Sequence, residues 1–75
     1  MMKLEEFISV FADQFDDTDR AEFKPETRFK ELDEWSSLTA LTIIAMVDEE
    51  CKKSISSDVI RNSETIEDLY NKIYL

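Results

Sequence analysis

The chain has no histidine and no glycine, one proline and one cysteine. Each shortage removes a class of chemistry or of fold. Without histidine there is no Ser-His-Asp or Cys-His catalytic arrangement and no histidine-based zinc site. Without glycine, phosphate-cradling glycine loops are excluded, and tight hairpins, which lean on Gly or Asn at positive φ, are disfavoured. The lone Cys51 cannot close an internal disulfide, which fits a reducing compartment. No apolar run is long enough to cross a membrane. The opening "MMKLEEF" carries acids where a secretory leader would have its apolar stretch. The expectation is a soluble, cytoplasmic protein.

Basic charge is scarce as well: 9 Lys and Arg stand against 18 Asp and Glu, a formal net charge of −9. Nucleic acid is therefore a poor partner, because phosphate binding needs a basic surface, whereas basic protein surfaces would be drawn in. Solubility alone also accounts for the acids, so charge does not decide function. The 75 residues suffice for one small domain, residues 1–75, with little room for an enclosed active site.

What remains is patterned for helices. Leu4, Phe7, Ile8, Phe11 and Phe15 recur at intervals of three and four and predict a helix from Lys3 to Phe15. "DDTD", Asp16 to Asp19, breaks it, since clustered Asp and Thr bond their own backbone in turns. It lacks the glycine and the closing glutamate of a calcium loop, Arg28 standing eleven residues after Asp17, so no metal site is expected. From Arg20 to Trp35 the chain reads as a loop anchored by Phe23, Phe29 and Leu32, with one helical turn at Phe29 to Leu32. Trp35 reads as a further anchor of that loop.

A second helix is predicted from Ser37 to Cys51, with Leu38, Leu41, Ile44, Val47 and Cys51 on one face and Ile43 beside it. Cys51 reads as a small core residue. A short third helix is predicted at Asp58 to Arg61. A last one starts near Thr65, with Ile66, Leu69, Tyr70 and Ile73 as its buried stripe, and Thr65 with Asp68 as its capping box. Ahead of the second helix stand two serines. One suffices as N-cap, and Ser36 is placed for it. Ser37 is then the first helical residue with its side chain free. It has no histidine to make it a nucleophile, but a phosphate attached there would meet unpaired N–H groups and the positive end of the helix dipole.

"SSLTALTIIAMVDEEC", with "TRFKEL" upstream and "ISSDVIRNSETIEDLYNKI" downstream, resembles the acyl carrier proteins and related peptidyl carrier domains over essentially the whole chain. The resemblance implies an all-α, four-helix bundle of acyl-carrier type: three main helices, a short third one, and a long loop between the first two. It implies a monomeric carrier and not an enzyme, with 4′-phosphopantetheine attached to Ser37 and acyl intermediates of fatty-acid or polyketide-type synthesis held as thioesters. Ser36, in the place of the family's usual Asp, caps without adding charge. It is the weaker candidate for attachment, because Leu38 follows Ser37 as the family's pattern requires.

Implied partners are a phosphopantetheinyl transferase and acyl-loading, elongating and acyltransfer enzymes with basic patches. Leu38, Thr39, Thr42, Asp48 and Glu49 are the implied recognition residues. Leu41, Ile44, Val47, Val59 and Ile60 are the implied lining of a pocket for the acyl chain. An aminoacyl or peptidyl carrier, for D-alanine or a nonribosomal pathway, is the alternative within the family. An acidic helical adaptor without a prosthetic group is the alternative outside it.

Overall fold

A computed structural model describes residues 2–74. They form four helices and, among the described residues, no strand, so the chain is all-α. Helix α1 is Leu4–Ala12, α2 is Ser37–Met46, α3 is Ser57–Arg61 and α4 is Ile66–Tyr74. α1 packs against α2 and α4, and α3 lies against the same two helices.

Helix α1 opens with the Glu6 carboxylate accepting from the Lys3 N–H at 3.0 Å, one arm of a capping box. It ends three residues before the predicted Phe15. Gln14 and Phe15 bond back to Phe11 and Ala12, at 3.1 and 3.0 Å, so the last turn tightens to an i→i−3 pattern. The tightening keeps Phe15 in the core. Around Phe11 the rings of Phe7, Phe15, Phe23 and Phe29 gather at centroid distances of 5.5 to 6.2 Å, in the offset and edge-on range that aromatic pairs prefer. Trp35 stacks on Phe15 and meets Phe29 edge-on, the anchoring role expected of it.

The long connection is pinned at several points. It holds two 3₁₀ turns, Arg20–Glu22 and Phe29–Glu31; only the second had a sequence signal. Phe23 and Phe29 are buried and Leu32 is half-buried. Thr27 Oγ1 donates to the Glu22 carbonyl at 2.6 Å and accepts from the Lys24 N–H at 2.8 Å. The carbonyls of Thr27 and Pro25 then accept from Ile66 and Glu67, so loop backbone satisfies N–H groups that the first turn of α4 cannot satisfy itself. The Thr65–Asp68 cap forms in altered form. Thr65 Oγ1 takes the Asp68 N–H at 3.0 Å, but the Asp68 carboxylate turns to the N–H of Glu64, at 2.9 Å. The α4 stripe is buried as predicted: Ile66, Leu69, Tyr70 and Ile73.

The face of α2 needs correction. Of the five residues set on one face, Leu38 and Leu41 are 72% and 62% exposed, Ile44 is half-buried, and only Val47 and Cys51 face inward, together with Ile43 and Met46. The helix is apolar nearly all round, so its periodicity does not choose a face; packing does. The helical path continues to Cys51, but Val47–Cys51 winds as a π turn. It stops at Lys52, whose φ of 57° is left-handed. Glycine is the usual residue there, and this chain has none.

Candidate functional site

The N-terminal end of α2 is built from side chains that cap one another. Ser36 has extended backbone, and its Oγ accepts from the Thr39 N–H at 3.2 Å. Thr39 Oγ1 donates to the Glu34 carbonyl at 3.1 Å. With that proton committed, Ser36 is the donor in the 3.1 Å contact between the two hydroxyls. Both capacities of the Ser36 hydroxyl are therefore used inside the cap.

Ser37 differs from its neighbour. It is the first helical residue, it is exposed, and no hydrogen bond among the described residues engages its hydroxyl. The amides of Ser37 and Leu38 open the helix with no intrahelical carbonyl to receive them. From Trp35 to Val47 the sequence has no charged side chain. Ser37, Leu38, Leu41 and Ala45 are exposed along this stretch. With no histidine in the chain, nothing of the usual kind activates Ser37 from within.

The other predicted residues fall in different places. Thr39 is half-buried and spends its hydroxyl on the cap. Thr42 Oγ1 bonds back to the Leu38 carbonyl at 3.1 Å. Asp48 and Glu49 are exposed on the π turn. At a rise of about 1.5 Å per residue they lie roughly 16 to 18 Å along the axis from Ser37. Among the pocket candidates, Val47 and Ile60 are buried and Ile44 and Val59 half-buried, whereas Leu41 is on the outside and lines no interior space. An open apolar groove of about 490 Å³ runs instead between α1 and the loop, edged by Leu4, Ile8, Phe23 and Pro25. Among the described residues, no group of three Cys, Asp or Glu side chains converges as metal ligands.

Sequence reasoning missed Glu34. Its carboxylate accepts from the Asp16 N–H at 2.9 Å, the Asp17 N–H at 3.1 Å and the Thr18 hydroxyl at 2.6 Å. The Thr18 hydroxyl, helped by these amides and opposed by desolvation, holds the Glu34 carboxyl below its ordinary range. No local signal announces this contact, since donors and acceptor are 16 to 18 residues apart.

Against family models, curated proteins and solved structures, the chain gives no match.

Proposed function

We propose that the chain is a carrier domain that receives 4′-phosphopantetheine on Ser37 and presents thioester-bound intermediates to biosynthetic enzymes. The observation that carries this reading is the division of labour between the two serines: Ser36 is consumed by the cap, and Ser37 stands free at the helix end. Helix order, the pinned loop and the resemblance of "SSLTALTIIAMVDEEC" to the carrier motif support it. In the transfer, Ser37 Oγ forms a bond to the phosphorus that bears the pantetheine arm of coenzyme A. The pyrophosphate linkage breaks, adenosine 3′,5′-bisphosphate leaves, and the serine proton passes to a base of the transferase. The attached phosphate then lies at the positive end of α2.

The exposure of Leu41 favours a second reading on cargo. A lining residue that faces solvent suits an aminoacyl or peptidyl carrier, whose cargo stays outside, better than a fatty-acid carrier that buries its chain. Each buried CH₂ contributes about 0.8 kcal/mol, so an octanoyl form that inserts its chain melts above the bare holo form. Equal melting of octanoyl, alanyl and holo forms supports the aminoacyl or peptidyl reading.

The primary test is exposure to coenzyme A and a promiscuous phosphopantetheinyl transferase. The protein should gain the mass of one phosphopantetheine. Ser37→Ala should gain none. Ser36→Ala should still be modified, with stability lower by about 1 kcal/mol from the lost cap. Attachment mapped to Ser36 would refute the site assignment, and no attachment to the parent protein would refute the carrier reading and leave the acidic adaptor.

A further inference from the structure

Glu34 touches both sides of the junction that leads into α2. Its carboxylate receives three donors from the turn after α1, on Asp16, Asp17 and Thr18. Its carbonyl receives the Thr39 hydroxyl, which in turn engages Ser36. Trp35, the next residue, is wedged against Phe15 and Phe29 at centroid distances of 6.4 and 5.1 Å. Segment 34–36 is thereby fixed by side chains from the end of α1, the loop and α2, and Ser37 follows it directly. Any shift of this segment carries the Ser37 hydroxyl with it.

Resting on the carrier reading, we propose that Glu34 is a positioning residue for Ser37: its carboxylate fastens the turn after α1 to the entrance of α2 and sets where the hydroxyl is presented. The Ser36 cap on the Thr39 N–H does not involve the Glu34 carboxylate. Losing that carboxylate loosens the seat of the helix end without unwinding it. Phosphoryl transfer needs the attacking oxygen within about 3–3.5 Å of phosphorus, and a displacement near 1 Å can cost up to about 100-fold in rate. The defect belongs to the bound complex, so it falls on kcat and spares KM.

Glu34→Ala, Thr18→Val and Thr18→Ser are compared with the parent in transfer of phosphopantetheine from coenzyme A, at varied carrier concentration. In Glu34→Ala, kcat should fall about tenfold, and in Thr18→Val about threefold, with KM within about twofold of the parent. Thr18→Ser keeps the hydroxyl and should match the parent. The amide NMR signals of Ser37 and Leu38 should move along with those of Asp16 and Asp17 in Glu34→Ala. Parent-like kcat in both Glu34→Ala and Thr18→Val, a rise in KM alone, or unmoved Ser37 and Leu38 signals overturns the proposal. If Glu34→Ala does not fold, Thr18→Val read against Thr18→Ser decides. If the parent itself takes no phosphopantetheine, the carrier reading fails and takes this role with it. If the parent is modified at Ser37 and the variants match it, the role of Glu34 alone is refuted.

Discussion

Lys52 holds its backbone in the left-handed region. Among the described residues it alone combines a side chain with a positive φ, where Cβ crowds the following carbonyl. Glycine removes that crowding but loses more freedom on folding. The balance at a helix C-terminus favours glycine, and Lys52→Gly should stabilise the fold by about 0.5–1 kcal/mol. A shift of the urea midpoint to higher concentration, at unchanged slope, checks it. Lys53→Gly, one residue on and without a positive φ, is the control and should give no gain. Single residues also mark where sequence reading succeeds. The N-cap role of Ser36 was legible, because a serine ahead of an apolar run has one economical use there. The grip of Glu34 was not, because its three donors come from a turn that only the tertiary fold brings near.

Among the elements, α4 and α2 make an instructive pair. The α4 stripe was legible since polar residues occupy the opposite side. α2 offers apolar residues in every direction, so sequence could place its ends but not its buried face. The outcome leaves Leu38 and Leu41 in solvent beside Ser37, and the nearest acids of the helix beyond the end of its α-helical part. On the proposed carrier reading, apolar and charged contacts with a transferase would be separated along one helix. Covering the exposed part of Leu38 or Leu41 contributes about 1–2 kcal/mol. Leu38→Ala or Leu41→Ala should therefore speed dissociation by about fivefold or more, with little change in salt dependence. Charge reversal at Asp48 and Glu49 should instead slow association and flatten its fall with salt. Stopped-flow binding at two ionic strengths measures both. Indifference to all four substitutions would place docking on another face.

Across the molecule, two carboxyl groups are held below their ordinary range and favour the folded chain toward neutral pH. Glu34 is lowered chiefly by the Thr18 hydroxyl, and Asp68 chiefly by the Glu64 amide with Lys72 second. A carboxyl that holds its proton less tightly in the folded chain than in the unfolded one contributes stability above the unfolded range. That contribution is lost as pH falls through the ordinary carboxylate range and on through the depressed folded values. Melting temperature should thus be level near neutrality and decline from about pH 5 downward. Glu34→Gln should melt lower than the parent at pH 7, and the gap should shrink as pH falls, since the parent's advantage is the charged form. Tyr74 acts at the other end of the scale. Burial, with the Cys51 contact second, raises its phenol, so its contribution is present at neutral pH and lost as strong alkali ionises it.

The same tyrosine takes part in an arrangement with a topological consequence. Tyr70 donates to the Met2 carbonyl, and the Tyr74 hydroxyl accepts from the Met2 N–H at 3.4 Å. The first and last described residues are therefore neighbours in space. A flexible linker long enough to span the tyrosine side chain can join residues 2 and 74, and new ends can be opened at the exposed stretch after Lys52, where residues 53 and 54 lie in solvent. In such a rearranged order α3 and α4 would lead the chain and α2 would close it. The same adjacency allows the bundle to be spliced into a surface loop of a larger protein, entering and leaving through one small gap, with Ser37 still presented outward.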